Sequence, residues 1–168
     1  TGLFAAAVTA APLQAAVFSQ SWTTGFAGSG AIPDGNATGW FDSRNVTLPA
    51  GEFIVDIDVL VNVSGGWNGD LYGYLTTPSA SAPAILLTRP GVTSAALLGY
   101  EDSGLSLRFD DAAANDIHFY GLVPGFDAAI LNGSSWQPDG RAVDPMFTTG
   151  AEVRGADLSR FNGMSGSA

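Results

Sequence analysis

An all-β fold is what this sequence predicts, and three observations predict it. Residues 52–63 alternate strictly between apolar and polar side chains. Glycine (22 residues) and proline (9) punctuate the whole chain, with Val, Ile, Thr, Phe, Trp and Tyr spread between them. Charged residues make up only 13% against 46% hydrophobic, too few for a coiled coil or long solvated helices and too apolar for disorder. Many short strands joined by Gly/Pro-rich turns produce such a composition. A length of 168 residues suits one domain with one sizeable core.

In chain order, the first segment, residues 1–16 (TGLFAAAVTAAPLQAA), is apolar and Ala-rich. It reads as the apolar and cleavage regions of a secretory signal peptide without its basic start, with a mature chain beginning near Val17. It reads equally as a strand, with Phe4, Ala6, Val8 and Ala10 on one face and Leu3, Ala5, Ala7 and Ala11 on the other, suited to burial on both sides. A helix is the third reading, on alanine's propensity. The run is too short to span a bilayer. The expected organisation is therefore an apolar N-terminal segment, 1–16, and a β-sandwich over 17–168.

Short strands are expected at 17–22 and 40–48, separated by a Gly-rich loop. In 52–63, Phe53, Val55, Ile57, Val59, Val61 and Val63 share one parity, while Glu52, Asp56, Asp58 and Asn62 share the other. Period-two alternation of this length marks a half-buried strand and places Asp56 and Asp58 on its solvent face. Further strands are expected at 71–75, 84–87, 105–109 and 117–122. Residues 92–104 read as a loop, and 157–161 as a helical turn.

Charge narrows the partners. Sixteen acids face six bases, all arginine, for a net charge of -10. Nucleic acid and anionic membrane surfaces need clustered Lys/Arg and are excluded. Asp outnumbers Glu thirteen to three, which suits turns and oxygen-rich cation sites as well as a plain acidic surface. The absence of cysteine excludes a disulfide framework, Cys-ligated zinc and thiol catalysis. His118 is the only histidine. No nucleophile-elbow pattern accompanies it, and between Ile117 and Phe119 it reads as a structural residue. Residues 34–39 match the start of an EF-hand loop, but Asn45 stands where the bidentate Glu is required. Trp22, Trp40, Trp67, Tyr72, Tyr74 and Trp136 could form a platform for carbohydrate, with core packing expected for most. The sequence thus predicts no catalytic residues.

Four segments, in order across about 130 residues, carry a family resemblance: Ile32-Pro33-Asp34-Gly35-Asn36; Asn68-Gly69-Asp70-Leu71, opening a strand that ends in Thr77-Pro78; Arg108-Phe109-Asp110-Asp111-Ala112; and Trp136-Gln137-Pro138-Asp139-Gly140 followed by Leu158-Ser159-Arg160-Phe161-Asn162-Gly163. Together the chain resembles the P domain, or Homo B domain, of proprotein convertases and its bacterial secreted relatives. The resemblance implies a jelly-roll-like β-sandwich without catalytic residues, secreted or at the cell surface. It also implies calcium near Asp70, Asp110 and Asp111, with Asp34 a weaker addition. Family members continue past the Phe-Asn-Gly segment into a Gly-x-Trp-x-Leu strand and a last strand with Ser-Trp. Against that pattern a C-terminal closing strand is expected to be missing.

These features together point to an extracellular structural protein that assembles with copies of itself into a fibre. The vacant sheet edge would be filled by a neighbour's N-terminal segment through Leu3, Phe4, Ala6, Val8 and Ala10. The alternative is a calcium- or carbohydrate-binding accessory domain of a larger secreted protein.

Overall fold

The structure, a computed structural model, describes residues 16–36 and 38–165. The assembly residues Leu3, Phe4, Ala6, Val8 and Ala10 lie outside the described residues. The chain divides into two compact units, residues 1–48 and 49–168. In the first, the described residues are mostly exposed and extended, with a short 3-10 turn at Ala27–Gly30. What organises them is a clasp. The Trp40 ring meets Phe26 edge-on at 6.0 Å, its indole N–H donates to the Ala27 carbonyl at 2.6 Å, and the Arg44 guanidinium lies 5.3 Å from the Phe26 centroid. Arg44 also donates to the Gly25 carbonyl. The strands expected at 17–22 and 40–48 do not form, because these residues have no ladder partner among the described residues.

The second unit is β-rich, with two small sheets. Strands β1 (Val59–Val63), β2 (Tyr72–Leu75), β3 (Ala84–Thr88), β4 (Leu105–Phe109) and β5 (Ser135–Trp136) follow in sequence. One sheet has the order β1-β4-β5, and the other pairs β2 with β3. β1 and β4 run antiparallel with Val59 opposite Phe109, Val61 opposite Leu107 and Val63 opposite Leu105. Both strands therefore point their apolar parity to the same side. β5 adds in parallel, placing Trp136 beside Phe109. β2 and β3 run antiparallel, with a register shift between Gly73 and Tyr74.

The core forms around Leu86 and Leu87 of β3, Leu105, Leu107 and Phe109 of β4, and Ile117, Tyr120, Leu131, Trp136, Leu158 and Phe161. β3 (Ala-Ile-Leu-Leu-Thr) is buried along its whole length, which accounts for its continuous apolar run rather than an alternating one. Helix α1 (Ala128–Gly133) starts where the Asp127 carboxylate accepts the Ile130 amide at 2.8 Å, and it is tied down from β4 and β5. The Ser106 amide donates to the Asn132 side chain, and the Trp136 indole donates to the Leu131 carbonyl. Gly69 has no room for a side chain, because a Cβ there would collide with the backbone at Leu98 and Tyr100.

Two further expectations need correction. Of 52–63 only Val59–Val63 is laddered strand. The preceding residues leave β4 and pair elsewhere, with Phe53 bridging to Ser165 and Ile54 exchanging backbone hydrogen bonds with Gly163 and Met164. Residues 117–122 are not a strand. The Asp116 carboxylate accepts the His118 amide and turns the chain into a 3-10 helix at Ile117–Leu122. Helix α1 is not among the elements the sequence predicts. Asp56 and Asp58 do face solvent, and a 3-10 turn occupies Leu158–Phe161.

Trp136, 1% exposed, fills the space between β4, α1 and Tyr120. Trp136→Ala is expected to destabilise the second unit by about 3–5 kcal/mol. Urea unfolding followed by far-UV circular dichroism measures this. A loss under about 1 kcal/mol would contradict a core role for Trp136.

A locked polar centre and open strand edges as the candidate functional site

The polar residues of the second unit separate into a buried set and an exposed set. The buried set centres on Asp139, which is fully buried. One carboxylate oxygen meets His118 Nδ1 at 2.7 Å and the Thr88 amide at 3.2 Å; the other accepts from Arg141 at 3.0 Å. Arg141 also donates to Asp116 at 2.8 Å, and its guanidinium lies 5.2 Å from the Phe119 centroid. Arg154 adds hydrogen bonds to the Gln137 side chain and to the Pro138 and Asp139 carbonyls. Two turns and a strand edge supply these groups, since the 3-10 turn carries His118 and the 139–156 segment runs beside β3. The amides of Asp139 and Gly140 donate to the carbonyls of Leu86 and Ile85, and the Ile85 amide donates to Ala156.

His118 is held as an imidazolium. Nδ1 faces a carboxylate, and Nε2 lies 2.9 Å from the Val92 carbonyl, so both nitrogens serve as donors. Burial alone would lower its pKa. The hydrogen bond and charge of Asp139, with the Val92 carbonyl, outweigh burial and the Arg141 charge and raise it above the ordinary histidine range. Gly150 makes this possible. Its φ is +75°, and a Cβ there would stand 2.8 Å from both His118 Nε2 and the Val92 oxygen. With no exposed surface and both nitrogens engaged, this histidine is placed to hold structure rather than to exchange protons with a ligand.

The calcium candidates have other occupations. Asp111 accepts the amides of Leu158 and Ser159 with its two oxygens and so anchors the Leu158–Phe161 turn. Asp110 accepts the Ala112 amide, and Asp70 is exposed, with Arg89 at 3.8 Å. Asp34 belongs to the first unit. Among the described residues no three of His, Asp or Glu lie close enough to hold a metal ion. Burial, the Asp110 carboxylate and more weakly Asp56 and Asp111 push the Asp58 carboxyl up, against Arg108, which pairs with it at 3.3 Å. Asn68, fully buried, donates to the Gly104 carbonyl and to Tyr120, and its own side-chain oxygen has no partner among the described residues.

The exposed set lies along two strand edges. Among the described residues, β1 has no partner beyond β4, and β2 has none beyond β3. The deficit is also visible in packing. Leu105, Leu107 and Phe109 of β4 are at most 5% exposed, yet their cross-strand partners Val63, Val61 and Val59 are only half-buried. On the opposite face of β1, Leu60 is 74% exposed. Of the six Trp and Tyr residues considered above, only Trp136 enters the core. Trp67, Tyr72 and Tyr74 are exposed in the second unit, contrary to the core use expected for most. Asn115, Asp116, Phe119, Leu122, Val123 and Pro124 line an open hollow of about 220 Å³. No helix of the described residues is long and apolar enough to cross a membrane. No family model, no curated protein and no solved structure matches this chain.

The buried centre makes stability pH-dependent from both sides. A histidine whose folded pKa is raised stabilises the fold fully below about pH 6.5, the unfolded value, and loses that contribution as pH rises through the folded value. Glu152 sets the acid side. Burial works against it, but hydrogen bonds from Thr149 and Thr148 draw its carboxyl down to about 2, so its contribution is present above the ordinary value of 4.5 and lost as pH falls toward 2. The urea midpoint is therefore expected to be highest between these limits and to fall on the alkaline side. His118→Gln is expected to be less stable at pH 6 and to lack the alkaline fall; a wild-type midpoint flat from pH 6 to 9 would contradict the imidazolium assignment.

Proposed function

We propose that this chain is a non-catalytic, extracellular structural module that assembles with copies of itself by strand exchange, the N-terminal segment 1–16 of one copy adding to the open edge of β1 in the next. The observation that carries the reading is the mismatch across one ladder. β4 is sealed, whereas its partner β1 presents half-buried valines on one face, an exposed Leu60 on the other and backbone groups between them that have no partner among the described residues. An edge of this kind is a template for an added strand. Segment 1–16 has the pattern such an edge accepts, with apolar side chains on both parities. The parity of Phe4, Ala6, Val8 and Ala10 would meet the valine face, and that of Leu3, Ala5 and Ala7 the Leu60 face.

Charge supports the same occupant. Residues 1–33 contain no charged side chain, so all sixteen acids and six arginines lie in the remainder. An uncharged strand can approach a body of charge -10 without the repulsion a second acidic body meets. The non-catalytic reading is supported by the one histidine being locked inside and by Asp110, Asp111, Asp116 and Asp127 accepting backbone amides. The P-domain-like motifs favour the same reading and a secreted setting. A contact from the end of one copy to the edge of the next is heterologous and propagates without closing, which gives a filament.

The test is removal of the donor. Full-length chain is expected to form filaments by negative-stain microscopy; a chain lacking residues 1–16 is expected to run as a monomer in light scattering and to gain thermal stability on adding a synthetic 1–16 peptide. Leu60→Lys, an exposed change that leaves the core intact, is expected to block assembly in the full chain. Filaments that persist in both variants would refute the proposal.

A further inference from the structure

We infer a second binding surface, independent of strand exchange: the outer face of β2, carrying Tyr72 and Tyr74, fits a single, soluble chain of a neutral polysaccharide. β2 alternates so that Leu71, Gly73 and Leu75 face inward and the two tyrosines outward. Their side chains are therefore free of any core duty. Tyr72 is 40% exposed and Tyr74 55% exposed, and their ring centroids are 5.8 Å apart. Adjacent aromatic faces on a rigid strand offer a stacking surface for the apolar C–H faces of sugar rings, and each phenol adds a hydroxyl for the sugar's polar rim.

Two further features lie beside the rings. The edge of β2, without a partner among the described residues, carries backbone N–H and C=O groups available to sugar hydroxyls. The 139–148 segment approaches from the other side. Thr88, opposite Tyr72, donates to the Arg141 carbonyl, and the Asp144 carboxylate is near enough to add to the burial and the Tyr74 effect that raise the Tyr72 phenol. A carboxylate there accepts hydroxyl hydrogen bonds and repels anionic ligands. With a net charge of -10, uronic acid and sulfated chains are disfavoured and neutral ones remain.

The ring geometry also selects the form of the glycan. The register shift between Gly73 and Tyr74 re-aims the second side chain, and the two rings are inclined at 51° to one another. Such a pair cannot lie flat on a crystalline face, but it suits a chain whose successive sugars are rotated about its axis.

Affinity electrophoresis of the full chain carrying Leu60→Lys, in which assembly is expected to be blocked, tests this, with xylan, hydroxyethylcellulose and a soluble β-glucan in the gel, alongside depletion by crystalline cellulose. Retardation is expected with at least one soluble neutral glycan, without depletion by the crystalline one. Tyr72→Ala and Tyr74→Ala, both exposed changes checked by circular dichroism, should each weaken retardation roughly tenfold, equivalent to about 1.4 kcal/mol. Retardation in the Leu60→Lys background separates this surface from the assembly edge. No retardation by any of the three glycans, equal retardation of the tyrosine variants, or depletion by crystalline cellulose alone would overturn the inference. So would loss of self-association in the tyrosine variants without loss of glycan retardation, since a second copy would then be the occupant.

Discussion

The burial of the Asp139 carboxylate is the constraint on which the second unit depends. A lone ionised carboxylate in a core costs several kcal/mol and is tolerated only when its oxygens are all engaged. Here His118, Arg141 and the Thr88 amide engage them. Each partner comes from a different stretch of chain, so satisfying one charge fixes the 3-10 turn, the end of β3 and the 139–156 segment relative to one another. Of only seven basic side chains in the protein, three converge here: Arg141, Arg154 and the single histidine.

The same centre explains why the two sheets have unequal edges. β3 would be an edge strand on pairing alone, yet Asp139, Gly140 and Ala156 cap its free side with backbone hydrogen bonds, and the Asp139 carboxylate accepts the Thr88 amide at its end. β1 and β2 receive no such cover among the described residues. A fold that invests a buried ion cluster in sealing one edge, and leaves Leu60, Tyr72 and Tyr74 exposed at the others, has edges of two different kinds.

How much of this is legible in sequence depends on whether the determinant is local. Alternation in Leu105-Ser106-Leu107-Arg108-Phe109 gives β4 directly, and the apolar run at 84–88 gives β3, since period and length are carried by neighbouring residues. The 3-10 turn at Ile117–Leu122 was hidden because Ile-His-Phe-Tyr-Gly-Leu is as apolar and aromatic as a strand. The signal available was Asp116, whose side chain caps the turn. Helix α1 has six residues, too few to show a 3.6-residue period, and only Asp127 marks its start. The buried centre could not be read at all, because Asp116, His118, Asp139 and Arg141 join across a loop and a strand. The Pro-Asp-Gly-Arg stretch that contains half of it looks like an ordinary exposed turn. The same ambiguity placed too many aromatics in the core, because a tyrosine at alternate strand positions is equally consistent with either face.

Electrostatics then ties the edges to their occupants. At physiological ionic strength fields between exposed charges decay over about 8 Å, so two bodies of charge -10 repel mainly at contact distance. Contact is where a strand must add, within the roughly 5 Å spacing of a sheet. A partner that brings acidic residues to that distance meets the full penalty, and the six arginines offer little compensation when five of them already pair with buried or neighbouring aspartates. What can reach an edge at low cost is a segment or ligand without charge. Segment 1–16 of a second copy, the occupant proposed for β1, meets that condition, and so does the neutral glycan proposed for β2. Under both proposals the charge distribution would act as a filter, favouring uncharged partners at the two edges while keeping the acidic bodies themselves apart.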